Sequence, residues 1–432
     1  MRIKAVIPFI WLIIAWVFPG GAMAGNGEKE ISIEDLDNKS INLQSLNPMR
    51  LPGKSYDDRA HQTIITGYIV TSYKYNDTGV EHHGQGNELH FGQDVADTTN
   101  FGFNVMEIGF TKRYSDYAWV AAAMEVGLHN ELEGGTTVTK TQTELDTGEI
   151  HLVAPVGNGV DFTLGKFNSP VSFEQEDAPL LLQATHSLTF QFASPSKMVG
   201  LMAVYPILEN LDVRAAVFNG WNANAGDTDN NKAKSIFFQV GFAPTRWADL
   251  KLSFLRGAEQ DDNEKDNRNV LDIAGTLTPW RNWIFGFEFA YGHDENQSLL
   301  HPGTDAKFYS GQATIHHDFF RWFGTTLRYS FVADEDGHPD IGNNPAEPGE
   351  AQQRTWNQIS VAPVFHISPQ FLGFMGFGVI PRTQHLLSGI DLRLEYRYDW
   401  VNESANNRLF RDIRNTKLST RNMFIAELVA SF

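Results

Sequence analysis

Between Gly389 and Trp400 the chain reads G-I-D-L-R-L-E-Y-R-Y-D-W, charged at every second position after Ile390 and apolar between. Side chains alternate across a strand, so Asp391, Arg393, Glu395, Arg397 and Asp399 share one face. Ile390, Leu392, Leu394, Tyr396, Tyr398 and Trp400 share the other. The wet face of a soluble sandwich rarely carries five charges in succession. A bilayer-spanning barrel requires this division, with an apolar outside against lipid and a polar inside around water.

The two ends of the chain agree with that class. Arg2 and Lys4 precede an apolar run from Ala5 to Phe18, followed by Pro19-Gly20-Gly21 and Ala22-Met23-Ala24. This pattern predicts a secretory signal peptide, residues 1–24, cleaved after an A-x-A site. The run is short for a spanning helix, and no Cys follows it to carry a lipid anchor. At the other end, Phe432, Ala430, Leu428, Ala426 and Phe424 form an alternating apolar stripe. A last strand ending in Phe resembles the signal read by the barrel assembly machinery of Gram-negative outer membranes.

Composition excludes several functions. The absence of Cys rules out disulfides and thiolate metal sites. A net charge of -18, more acidic still once Arg2 and Lys4 leave, argues against nucleic-acid binding, which needs clustered cations. Phe alone supplies 31 residues, an excess that suits a lipid-facing surface with interfacial girdles.

Alternating segments fall at 62–75, 100–113, 117–129, 148–157, 159–168, 197–206, 211–220, 234–244, 250–258, 269–279, 282–293, 305–317, 322–333, 354–367, 384–399 and 418–432. They predict an all-β, up-and-down antiparallel barrel of about sixteen strands over residues 61–432, an even count with both termini on the periplasmic side. Arg246-Trp247, Trp280-Arg281 and Arg321-Trp322 mark short turns at one interface, and Trp221, Trp356 and Trp400 suggest a girdle at the other. Residues 25–60 read as a periplasmic lead-in. Residues 169–196 fit no strand pair and read as a long loop carrying Glu174, Glu176, Asp177 and Leu180-Leu181-Leu182. Long irregular segments in compact folds are often functional, and this one is expected to fold inward and constrict the barrel.

Several stretches then take on a familiar cast: Gly165-Lys166-Phe167-Asn168-Ser169-Pro170 with Glu174 shortly after, Val217-Phe218-Asn219-Gly220-Trp221, and Leu394-Glu395-Tyr396-Arg397-Tyr398-Asp399. Together they resemble the OmpL-like family of outer-membrane β-barrel porins, over most of the chain after about residue 100. The resemblance implies a porin-like channel and supplies no substrate. Ser172 stands where the family pattern suggests glycine, and 368–383 looks like an insertion.

The charged stripe Asp391, Arg393, Glu395, Arg397 and Asp399 is the leading pore-lining candidate, joined by Arg421, Glu427, Arg328, Glu288, Asp212 and Arg214. A self-neutralising structural ladder would use the same residues. Asp334-Glu335-Asp336-Gly337 and Asp227-Thr228-Asp229-Asn230-Asn231 cluster carboxylates without full calcium-ligand spacing. Adjacent histidines, His82-His83 and His316-His317, point to opposite faces of a strand, so no metal site and no cofactor is assigned. The chain has no G-x-S-x-G, H-E-x-x-H or Walker loop, so no catalytic residue is assigned either. The sequence thus predicts an outer-membrane channel for passive diffusion of small hydrophilic solutes or ions. Its expected partners are membrane lipid, lipopolysaccharide and the assembly machinery acting through Phe432, with homo-oligomerisation open. Two alternatives stand beside it: a sleeve around a partner such as a multihaem cytochrome, and a barrel enzyme.

Overall fold

A computed structural model of the chain describes residues 63–77, 79–80, 100–133, 136–221, 229–341, 351–367, 389–402, 410–411 and 417–432. The expected signal peptide, the lead-in 25–60, the pair His82-His83 and the 368–383 stretch lie outside the described residues. Sixteen strands form one closed sheet. They are β1 Thr63–Asn76, β2 Asn100–Ser115, β3 Ala118–Glu133, β4 Thr136–Ala154, β5 Val160–Asn168, β6 Lys197–Leu208, β7 Leu211–Phe218 and β8 Ser235–Thr245. The second half is β9 Ala248–Gln260, β10 Asn263–Leu277, β11 Trp283–Asp294, β12 Ala306–Phe320, β13 Phe323–Asp334, β14 Arg354–His366, β15 Ile390–Val401 and β16 Thr420–Ser431.

Each strand pairs antiparallel with its sequence neighbour, and β16 returns to pair with β1, Tyr68 opposite Ser431. At this seam the Gly67 N–H donates to Phe432 O (3.1 Å) and the Phe432 N–H to Gly67 O (2.9 Å). A Cβ at Gly67 would stand 2.6 Å from the Phe432 ring, so closure needs glycine there. Closing the sheet satisfies the backbone groups that an edge strand would leave unpaired in oil.

Strand identity matches the sequence reading with one large boundary difference: β4 begins at Thr136, not at 148. The added stretch, T-T-V-T-K-T-Q-T-E-L, puts Thr137, Thr139, Thr141 and Thr143 at one parity against Lys140, Gln142 and Glu144 at the other, so it lacks the apolar–polar contrast although Thr is β-branched and favours strands. It pairs with β3 out to Glu133 opposite Thr136.

The outer surface carries the exposed apolar stripe: Met124, Leu164, Leu252, Ile273, Phe289 and Leu428. Among the described residues, no helix is long and apolar enough to cross a membrane. The inside is not uniformly polar. Phe167, Val171, Leu188, Phe192, Phe218, Phe237, Phe308, Trp356 and Phe410 belong to one buried apolar cluster. Trp356 therefore does not serve in an outer girdle. It faces inward, 2 % exposed, its ring 5.5 Å from Phe192 and 5.7 Å from Phe410. Trp221 also packs on this cluster, beneath the Arg268 guanidinium at 5.1 Å. Period-two alternation gives a face for each residue, but not what fills the space in front of it.

Candidate functional site

The interior is occupied by the segment between β5 and β6. Its path includes a 3-10 turn, Ala178–Leu180, and a short helix α1, Leu188–Ala193. Ser187 caps α1, its Oγ accepting from the Phe190 N–H at 3.1 Å. Helix α1 lies against β11, β12, β13 and β14. Apolar residues Val171, Leu188 and Ala193 are wholly buried, so the segment brings its own core into the barrel.

Polar side chains on the wall hold the rest. At the entry, Gln239 of β8 donates to Pro170 O (2.8 Å), and Lys251 of β9 donates to Pro170 O (3.2 Å) and Ser172 O (3.1 Å). On β11, one oxygen of Glu288 accepts from Ser172 Oγ (2.7 Å), the Phe173 N–H (3.0 Å) and Gln312 Nε2 (2.9 Å). Ser172, the departure from the family pattern, is thus a direct bond to the wall. Beside it Gly286 leaves room for the Phe173 ring, which a Cβ would meet at 2.0 Å.

Arg328 of β13 is the centre of the next group. It donates to Glu174 Oε1 (2.6 Å), Thr185 Oγ1 (2.9 Å) and the His186 carbonyl (2.9 Å). The other oxygen of Glu174 accepts from the Ser187 N–H at 2.8 Å. Glu395 of β15 accepts from the Thr185 hydroxyl (2.6 Å), the Thr185 N–H (2.9 Å) and Gln183 Nε2 (3.2 Å). Arg393 reaches Ala178 O (2.9 Å) and Glu427 (3.1 Å). Arg397 and Arg421 both bond Asp399, each through Nε at 2.9 Å. Asp212 and Arg214 pair with each other on β7 at 3.2 Å.

All eleven candidate wall residues face inward, but ten of them are dry. Arg328, Glu395, Arg397, Asp399 and Arg421 are 0 % exposed, and Arg393 and Glu427 are 2 %. Asp391, at the far end of the stripe, keeps a third of its side chain exposed. Of the three loop acids, Glu174 is central, whereas Glu176 pairs with Lys197 (2.8 Å) and Asp177 accepts from Asn168 (3.3 Å) near the stem. Lys197 also bonds Asp146. Glu149 and Glu176 retain about a fifth of their side-chain surface in contact with water.

Sequence reasoning missed Gln183, Thr185, Ser172, Gln239 and Lys251, because uncharged or isolated residues stand out only once a partner faces them. The Asp334–Gly337 cluster is engaged in its own turn: Asp334 accepts from the Asp336 N–H (3.0 Å) and the His338 N–H (2.9 Å).

This architecture has known counterparts. A family model described as "Putative beta-barrel porin-2, OmpL-like" matches residues 62–432. The chain belongs to this family. Solved structures agree on the fold at low identity. The outer membrane channel DcaP of Acinetobacter baumannii is 11% identical (TM-score 0.55), with 88% of this chain and 100% of that chain covered. An anion-selective porin from Comamonas acidovorans is 10% identical (TM-score 0.51), covering 86% and 99%. OmpT of Vibrio cholerae in its trimer form is 12% identical (TM-score 0.51), covering 86% and 100%. A search of the curated proteins finds no match. Family and fold place the protein in the outer membrane as a porin-like channel.

Proposed function

We propose that the barrel passes small hydrophilic solutes or ions by passive diffusion, with residues 169–196 constricting the lumen. The observation that carries this reading is the set of bonds from that segment to wall residues on β8, β9, β11, β13 and β15. In this reading, Arg328, Glu395, Arg393 and Glu288 seat the segment, Glu427 pairs with Arg393, and Arg397, Asp399 and Arg421 hold one another on the wall. The water path follows the opposite wall, past Glu107 and Glu149 of the wall and Glu176 of the segment itself, which keep solvent contact. Those carboxylates favour weak cation preference, since fixed charge along a narrow path sets ion selectivity.

Planar-bilayer recordings in a salt gradient test this. Glu107→Gln with Glu149→Gln should move the reversal potential toward zero, while Arg397→Gln should leave it in place. Absence of any conductance from heat-modifiable, folded protein removes the channel reading. A sleeve is disfavoured because the chain's own segment fills the place a partner would take. The buried charges hold structure and bear on no substrate, so an enzyme is disfavoured as well. Membrane lipid against the apolar belt, lipopolysaccharide beside the acidic loops and the assembly machinery at the β16 terminus complete the proposed partners, with a homo-oligomer the natural assembly.

A further inference from the structure

Among the described residues, no donor reaches the Asp272 carboxyl of β10. The side chain is wholly buried, and neither oxygen accepts a hydrogen bond. Ser253, directly opposite on β9, is engaged by Gln239 instead (2.9 Å). Other acids of the wall and segment face a cation or an imidazole. Glu174 lies 2.6 Å from Arg328, Asp294 2.7 Å from Arg268, and Asp318 3.1 Å from His316 and 3.4 Å from His366. Asp272 instead faces a second acid, the Glu288 carboxyl of β11, within hydrogen-bonding reach.

Strand register brings the two together. Ala274 stands between Lys251 and Glu288 in one row of the sheet. Asp272 precedes Ala274 by two residues on the same face of β10, opposite Ala290. Both alanines are wholly buried, and their small side chains let the carboxyls lean toward each other. Glu288 uses Oε2 for Ser172, Phe173 and Gln312, and its Oε1 has no donor among the described residues. Free oxygens thus meet free oxygens. An ionised carboxylate only accepts hydrogen bonds, so two of them cannot bond each other. Side by side in a dry site they do not both ionise, and the stable arrangement holds one proton between them.

We infer that Asp272 and Glu288 share one proton, and that this proton latches the entry of the inward segment. The latch runs through Lys251, the cation whose charge acts on both acids. With the proton in place the pair carries a single negative charge, and the Lys251 ammonium donates to Pro170 O (3.2 Å) and Ser172 O (3.1 Å). When the proton leaves for solvent, a second buried charge appears beside the first, and it needs a cation. Lys251 is then drawn to Asp272, and the two carbonyls lose their donor. The other charges around the pair are committed: Arg214 to Asp212 (3.2 Å) and Glu174 to Arg328, while Asp249 precedes Lys251 by two residues on β9. The entry is therefore held at the lower pH, where the pair keeps its proton, and released as pH rises through its titration. The shared proton is independent of conduction and stands if the barrel proves closed; the latch needs only the segment's seat on the wall.

Infrared difference spectra of folded protein in detergent, taken between neutral and alkaline pH, read the proton directly. Wild type should lose a protonated-carboxyl band on going alkaline, and Asp272→Asn should lack that band. Glu288→Gln should lack it too, and serves if Asp272→Asn fails to fold. Limited proteolysis reads the latch. Cleavage of wild type near residue 173 should rise at least about tenfold over the same range, the factor that losing one hydrogen bond from a charged donor gives. Asp272→Asn, whose amide donates to Glu288 in the proton's place, should resist cleavage at every pH. Lys251→Met should be cleaved readily throughout, with no further rise. A wild type without the band, or a band that survives in both Asp272→Asn and Glu288→Gln, overturns the shared proton. Cleavage that does not rise in wild type overturns the latch. A rise that persists in Asp272→Asn does so as well, since the titrating group would then be Lys251 itself.

Discussion

Arg328→Met is the sharpest test of how the segment is held. The side chain is 0 % exposed and bonds Glu174, Thr185 and His186, and Glu395 lies 3.8 Å away. Met fills most of the volume but supplies no donor, leaving the Glu174 and Glu395 carboxylates buried without that cation. Breaking one side of a buried pair costs about 3–5 kcal/mol. At about 1.4 kcal/mol per tenfold, this raises the undocked population by roughly two to three and a half orders of magnitude. The strand ladder does not depend on these bonds, so the cost falls on the segment and the barrel stays closed.

Limited proteolysis of folded protein should therefore show new cleavage within 169–196 while the heat-modifiable band persists. Single-channel recordings should show larger conductance or more frequent open events. Glu174→Gln should act in the same direction with smaller effect, since it keeps the hydrogen-bond shape. An Arg328→Met protein with wild-type protease resistance and conductance would refute the claim that this cation holds the segment.

Other consequences are simpler. Gly67→Val should lower the yield of heat-modifiable barrel in outer-membrane fractions, because any side chain there collides with Phe432 at the closing seam. Ile273→Arg, mid-strand on the exposed outer face, should cost about 2–4 kcal/mol of folding free energy in lipid vesicles. A neutral result there would move the lipid boundary. Gly286→Leu should displace the Phe173 ring and loosen the segment's entry, read as protease cleavage near 173 with folding intact.

The alternation in Asp391–Asp399 was enough to place those side chains inside, because a strand has only two faces and lipid forbids charge on one of them. The same logic correctly separated His316 from His317 and Glu288 from Phe289. It failed at β4, where polar residues at both parities of 136–144 left no apolar–polar contrast, and at Trp356, which packs inward on Phe192. It also could not bring His366 to Asp318, since 48 residues of chain separate them.

What the sequence determined alone is the closed sheet and, where charged and apolar residues alternate cleanly, the side each residue faces. Both follow from local rules: a period of two, and the need of every backbone group in oil for a partner. What only the tertiary structure decided is the state of the interior. Whether a lumenal arginine meets water or a threonine depends on where residues 169–196 go, and that path is set by bonds to side chains up to 215 residues away, from Ala178 to Arg393. No local pattern encodes such a contact, because each partner alone is an ordinary residue on the inner face of a strand or in a loop.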